Sequence, residues 1–427
     1  LPASGPPPLR GRPSSYRPLK HEFRKPVDPP SRNIAADIVR GFALFGVLLV
    51  IMYGFGADSI AWDSGPDRLA SWITHIFFDS KSWTLFCVLF GFGFSVQQQR
   101  FSGRGFPFLH IRRMAVLFVF GAAHTLLYDG DILILYAELG LLLLLVSRVP
   151  TRWLLILATS LLLVFPVGHL MVPDREYGEG EYFDSPAQAR IALEERSRTD
   201  IYAAGSLAEV FAFNATAITE SPFVDFNWAD SGLAAFAMFL LGLLIGRSGI
   251  LQNIPGNTGI ITRTRNLAVG IWFAAMAGEQ VLTHTAGYAV YLPSVATPGV
   301  TLAGDLLFTT ATVALALGYA ATLVLAAQTR KGGAVLAPLA GVGRMALTVY
   351  LTQSIFFTTL FYGYGLGQAY RMGPVAVTAV TIVFFIAQVL ACSWWLSRYR
   401  MGPAEWLWRS MTYLRWQPLR LENKSVT

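Results

Sequence analysis

The 427-residue sequence predicts an all-α integral membrane protein, a polytopic bundle of about ten transmembrane helices with both termini cytoplasmic. Three observations predict it. Hydrophobic residues make up 54% of the chain and charged residues 14%, against roughly 25% charge in soluble domains. The mean hydropathy is +0.48. The surplus of basic residues, net +7, gathers in the tails and in alternate short loops, as the positive-inside rule requires. This composition excludes a disordered chain, a collagenous repeat and an ordinary soluble enzyme. In a soluble protein the positive charge would suggest nucleic acid; beside membrane spans it suggests lipid headgroups, and no nucleic-acid partner is expected.

Residues 1–32 form a Pro-rich basic tail with Arg10, Arg12, Arg17, Lys20, Arg24, Lys25 and Arg32. It lacks the apolar content to fold alone and lacks the pattern of a signal peptide. An N-terminal bundle of about five spans then covers 33–171, an acidic extracytoplasmic segment 172–230, a C-terminal bundle of about five spans 231–397, and a basic cytoplasmic tail 398–427. Spans are expected near 34–54, 72–97, 112–128, 131–147, 152–171, 231–247, 266–285, 301–328, 344–363 and 373–397. The third and fourth are joined only by Asp129-Gly130-Asp131 and read as a tight helical hairpin. Basic groups such as Arg100, Arg148, Arg247, Arg330 and Lys331 fall in every second loop, and acids such as Asp67, Asp129 and Asp131 in the others. An even number of spans satisfies this pattern; adding or removing one inverts it. In the acidic segment, Asp184-Ser185-Pro186 marks a helix start, and aromatics including Phe211 and Phe213 suit a membrane interface. A loop of this length either covers a site or serves as a spacer.

Ionisable groups inside spans are costly and ask for a reason. Asp37 and Arg40 lie at i and i+3 in DIVRG, followed by Gly41, which permits close helix approach. They form either a structural ion pair or a substrate contact. In GAAHTLLYDGDILILYAELG, His124 suits a general base near neutral pH. Asp131 would orient it across the hairpin, with Tyr136 and Glu138 in the next span; the alternative is a histidine bonded between helices. His75, Asp79, Lys81, Glu279, His284 and Asp305 are expected at the same membrane level as His124, which suggests one polar cavity opening outward. On the inner side Arg112, Arg113 and Arg344 join Arg40; they serve either topology or phosphate binding. Arg344 opens GVGRMALTVYLTQS, a span whose polar residues, Gln353 among them, should face the bundle interior. The glycines of LFGFGFS suit helix packing, since no strand precedes them and no nucleotide loop is implied. There is no Cys/His cluster at zinc spacing, so no metal site is expected. Cys87 and Cys392 imply no disulfide framework.

Taken together, DIVRGFALFGVLLV, LFCVLFGFGFSVQQQR, the RR…GAAH…GDILILY block, GRMALTVYLTQSIFFTTLFYGYGLG and MGPAEWLWRSMTY resemble the DUF418 (YeiB-like) membrane proteins. These are distantly similar to transmembrane acyltransferases of the heparan-glucosaminide N-acetyltransferase and acyltransferase-3 types, which share a D-x-x-R-G first span. The resemblance implies a multi-pass protein of the bacterial inner membrane. It would move an acyl group from a cytoplasmic donor such as acyl-CoA to an extracytoplasmic sugar, lipid or cell-envelope acceptor. The chain departs from the glucosaminide enzymes in the loop after the first span, GFGADSIAWDSGPDRL, which has no histidine. In this reading His124 and Asp131 are catalytic, while Asp37, Arg40, Arg112, Arg113, Glu138, Glu279, Asp305, Arg344 and Gln353 contact substrates. The alternatives are a transporter or exporter, although no obvious pair of broken helices marks the sequence, and a non-catalytic subunit. Such a subunit would dock a protein partner through the basic tail or the 172–230 segment.

Overall fold

The computed structural model describes residues 33–56, 62, 64–101, 105–171, 198–220, 226–286 and 297–421. The basic tail 1–32 and most of the acidic segment, including Asp184-Ser185-Pro186, lie outside the described residues. Among these residues the regular structure is helical, with one isolated antiparallel bridge between Tyr399 and Arg420. The helices are α1 (Ile34–Gly56), α2 (Gly65–Phe77), α3 (Lys81–Arg100), α4 (Phe106–Thr125), α5 (Leu133–Val146), α6 (Thr151–Met171) and α7 (Leu207–Glu220). They continue as α8 (Phe226–Ser248), α9 (Ile254–Ala286), α10 (Pro298–Gln328), α11 (Arg330–Arg344), α12 (Ala346–Phe361), α13 (Pro374–Leu396) and α14 (Pro403–Tyr413).

Each expected span coincides with helix, but one is not a single rod, and α11 lies outside the expected spans. The span expected at 72–97 breaks at Phe78-Asp79-Ser80, dividing α2 from α3. Ser80 holds a left-handed φ of 59° there, a conformation unusual for a side-chain-bearing residue. A hydropathy window averages over such a kink. Likewise α11 and α12 bend by 80° at Met345, so the chain does contain a broken helix. Pro66, Pro107, Pro298, Pro374 and Pro403 stand in first turns, where the missing N–H has no helical acceptor to lose.

Among the described residues, four helices are long and apolar enough to cross a membrane: α1, α4, α10 and α13; the bent α11–α12 pair makes a fifth if taken as one span. Shorter apolar helices occupy 133–146, 151–164 and 232–248. Across the helices many apolar side chains are exposed, including Phe108 of α4, Leu145 of α5, Leu267 of α9, and Val383 and Leu390 of α13. The buried core gathers around α1, α3, α5, α8 and α12, with Leu48, Met52, Cys87, Tyr136, Phe239 and Phe357 at its centre. Glycines set the closest approaches. A side-chain carbon at Gly41 would land on the Leu339 carbonyl, at Gly91 on the Phe239 carbonyl, and at Gly343 on the Asp37 carbonyl. Gly93, by contrast, faces open space.

Candidate functional site

The α4–α5 hairpin builds the site. His124 lies in the last turn of α4, and its carbonyl accepts the Leu127 and Tyr128 N–H groups, turning the chain. Asp131 follows just before α5. Its Oδ2 accepts the Ile134 N–H at 2.9 Å, capping the new helix, while its Oδ1 lies 2.7 Å from His124 Nδ1. The two side chains are 3% and 1% exposed. With Asp131 ionised the carboxylate only accepts, so His124 Nδ1 donates the proton of that hydrogen bond. Nε2 is buried and has no hydrogen-bond partner. Gly121 makes the approach of the two helices feasible, since a side-chain carbon there would press on Ile134 and the Asp131 carboxylate.

Aromatic rings enclose the dyad. The Tyr350 ring centroid stands 4.9 Å from that of His124, and Tyr128 stands 6.1 Å away. Beyond the dyad, Asp129 pairs with Arg198, and Tyr202 stacks on Tyr362 with centroids 4.5 Å apart. Asn214 donates to the Leu126 carbonyl at 3.2 Å and accepts from the Tyr202 hydroxyl at 2.7 Å. Residues 198–214 therefore lie against the tip of the hairpin.

A second cluster forms at the α2–α3 break. His75 Nδ1 lies 3.2 Å from Asp79 Oδ2, and the Lys81 ammonium, in a residue 3% exposed, donates to the His75 carbonyl at 3.3 Å. Glu279 of α9 stands within electrostatic reach of Lys81 and His75. Asp305 is buried near the start of α10, one turn before Phe308, whose ring lies 5.4 Å from the Lys81 ammonium. His284 is exposed. Among the described residues these groups fall into two clusters, and a cavity of about 180 Å3 lies between the segments that carry them. Its walls are Val47, Val50 and Ile51 of α1, Phe78, Ser80, Ser82 and Trp83 at the break, and Tyr128, Gly130 and Ile132 of the hairpin. Tyr350 completes them, and no ionisable carboxylate, imidazole or ammonium lines it. Charged groups are drawn into partnered positions behind the wall because an apolar surround penalises an unpaired charge.

The other expected contacts sit around the opposite ends of α1, α4 and α12. Arg40 pairs with Asp37 at 2.8 Å and reaches the Gly343 carbonyl at 3.2 Å. Arg112 donates to the Thr412 carbonyl at 3.0 Å, Arg113 stacks 4.3 Å over Trp408, and Arg344 donates to the Arg400 carbonyl at 3.2 Å. These arginines hold α14 and the 400 turn against the bundle. Glu138 is buried in α5 near Tyr136, whose hydroxyl lies 3.0 Å from Cys87 Sγ. Gln353 is buried and donates to Gln388 of α13 at 3.0 Å, as expected of a polar span turned inward.

Two residues escape sequence reasoning. Glu405 of α14 is buried and accepts the Leu347 and Thr348 N–H groups at 2.6 and 3.1 Å and the Thr348 hydroxyl at 2.6 Å, capping α12 at the bend. Its sequence signal, an acid just after Gly-Pro, foretells the start of its own helix rather than a cap for another. Ser82 is the other. A serine in an apolar span carries no signal until its burial is known.

Fold and site define a helical protein with several membrane-spanning candidates and a buried His–Asp pair at a hairpin tip. Residues 245–415 match the family model described as "Protein of unknown function (DUF418)". A Bacillus subtilis (strain 168) protein described as "Uncharacterized protein YxaH" is 32% identical over 417 residues, covering 91% of this chain and 96% of its own. An Escherichia coli (strain K12) protein, "Uncharacterized protein YeiB", is 29% identical over 404 residues, covering 89% and 96%. The chain belongs to the DUF418, YeiB-like family. No solved structure matches it.

Proposed function

We propose that this protein is a membrane-embedded acyltransferase of the bacterial inner membrane, crossing it about ten times with both termini cytoplasmic. It takes an acyl group from a cytoplasmic thioester such as acyl-CoA and delivers it to a hydroxyl or amine of an extracytoplasmic sugar, lipid or envelope component. The observation that carries this reading is the His124–Asp131 pair, with Nδ1 held at 2.7 Å and Nε2 left without a partner. That is the arrangement a general base needs: one ring nitrogen fixed by a carboxylate, the other kept as an acceptor. His124 Nε2 takes the acceptor's proton as the acceptor oxygen or nitrogen bonds to the acyl carbon. The tetrahedral adduct then expels the thiolate, which takes the proton back from His124. Arg40, Arg112, Arg113 and Arg344 supply positive potential on the donor side, where phosphates would approach.

The test is acyl transfer by the full-length protein in nanodiscs, using labelled acetyl-CoA and an envelope extract as acceptor pool. His124→Ala should lower the rate by about 100-fold or more while leaving the protein folded; undiminished transfer removes the role given to His124. The 80° bend between α11 and α12 favours a second reading, a transporter, because broken helices recur at solute sites. Solute flux into proteoliposomes with no acyl donor present would select it.

A further inference from the structure

The exposed stripe of α13 is apolar along its length: Val383, Ile386, Leu390 and Trp394 recur at helical spacing. In the ten-span arrangement this stripe is the lipid face of α13, a helix long and apolar enough to cross a membrane. The stripe ends at Arg398, whose guanidinium lies 4.6 Å over the Trp394 ring. Tryptophan and arginine together mark the level at which hydrocarbon gives way to headgroups. The chain stays tied to that level. The Arg400 N–H donates to the Leu419 carbonyl at 2.8 Å, and the Leu421 N–H to the Arg398 carbonyl at 3.2 Å. In sequence, α14 falls between these paired segments. It is held to the bundle by Glu405 and by the Trp408 indole, which donates to the Arg113 carbonyl at 3.1 Å.

The other face of α14 is turned outward. Leu407, Met411 and Leu414, at i, i+4 and i+7, are exposed. Trp416, stacked on Trp406 with centroids 5.0 Å apart, is 70% exposed. Leu414 closes the helix at a left-handed φ of 50°, a position that favours glycine, and is itself 76% exposed. That conformation is unfavourable for leucine, and packing inside the protein does little to offset it. Charge then selects the partner. Residues 394–421 hold Arg398, Arg400, Arg409, Arg415 and Arg420 against one acid, Glu405, which is buried at the start of α12. Arg398, Arg415 and Arg420 are exposed. Apolar side chains interleaved with arginines complement a layer that is apolar below and negative at its surface. We infer that α14 docks in the headgroup layer of an anionic phospholipid leaflet. Leu407, Met411 and Leu414 sit below the phosphates, and Arg398, Arg415 and Arg420 bind them. The inference goes beyond acyl transfer and does not need it. It rests only on the part of the membrane reading in which α13 crosses, and it holds whichever side the tails occupy.

The test uses the full chain in nanodiscs of phosphatidylcholine, alone or mixed with phosphatidylglycerol. Cys87 and Cys392 are replaced by serine or alanine, and Met411→Cys carries a spin label. Collisions with dissolved oxygen and with a water-soluble nickel chelate report its depth. The label should be shielded from nickel, and more so with phosphatidylglycerol. Phosphatidylglycerol is also titrated into the detergent-solubilised protein and counted by native mass spectrometry. Arg398→Gln, Arg415→Gln and Arg420→Gln should each weaken that binding about fivefold. Leu414→Gly should leave the melting temperature in detergent unchanged or higher, because glycine suits that φ, yet open the label to nickel. A leucine with only a structural role would lower the melt and leave the label shielded. A label open to nickel in both lipids, while one on Leu390→Cys is shielded, overturns the docking and keeps the span. A Leu390→Cys label open to nickel removes the α13 crossing and the docking with it. Equal shielding in both lipids, with phosphatidylglycerol affinity indifferent to the glutamines, overturns the choice of anionic lipid. Shielding only where two copies share a nanodisc assigns the face to a second copy and overturns it too.

Discussion

Asp131 divides its carboxylate between two tasks: one oxygen caps α5 through Ile134 and the other holds the His124 ring. Removing it leaves a buried imidazole N–H and a helix-start N–H without acceptors, each costing about 1–3 kcal/mol. Asp131→Ala should therefore lower the melting temperature clearly. Asp131→Asn, which keeps one oxygen for Ile134 or the ring, should be milder; equal destabilisation by the two would deny the double role. This pair was legible in the sequence, because Asp129-Gly130-Asp131 permits only a tight turn, which brings residue 131 back beside residue 124. Lys81 and Glu279 were legible as costly groups but not as a separate cluster. Their placement depends on the break before α3, which no local pattern announces.

At the scale of elements, helix contacts turn on single glycines. The sequence marks Gly91 and Gly93 alike, yet Gly91 meets the Phe239 carbonyl of α8 and Gly93 meets nothing within 4 Å. Gly91→Ala should destabilise by about 1–3 kcal/mol through overpacking. Gly93→Ala should be neutral or stabilise by about 0.5–1 kcal/mol through reduced backbone freedom. Denaturation of both variants in one detergent checks the contrast, and a matching pair of losses would refute the α3–α8 contact. The bend at Met345 depends on Glu405, whose replacement by Ala should cost about 1–2 kcal/mol as a lost helix cap. Burial raises the Glu405 pKa above its ordinary 4.5, outweighing the Thr348 hydroxyl and the backbone N–H groups that favour the carboxylate. A raised folded-state value means that the stability linked to its proton is complete below about 4.5 and falls away as pH climbs through the folded value. Glu405→Gln, which cannot titrate, should flatten that part of the stability–pH curve. A wild-type curve already flat there would assign the carboxylate a different state.

Across the whole molecule, hydropathy located every helix it named, because apolar content is a property of each segment alone. Whether a helix crosses the bilayer is not such a property: α5 has 14 residues, short of the roughly 20 that a perpendicular crossing needs. The ten-span arrangement requires α3, α5, α6, α8 and α9 to cross as well, the short ones with help from flanking residues and local thinning. Charge makes that arrangement testable. If both termini are cytoplasmic, then Lys331, at the start of α11, is inside, and Arg371, between α12 and α13, is outside. Single cysteines at these two positions, in a background with Cys87 and Cys392 replaced by serine or alanine, should differ in reactivity towards a membrane-impermeant maleimide on intact cells. The Arg371→Cys protein should label before lysis and the Lys331→Cys protein only after it. The α4–α5 turn offers an independent check on parity, since Gly130→Cys should behave like Arg371→Cys if the dyad opens away from the cytoplasm. Labelling of Lys331→Cys on intact cells would invert the topology and move the His124–Asp131 pair to the donor's side, where an acyltransferase with an outward acceptor could not use it as base.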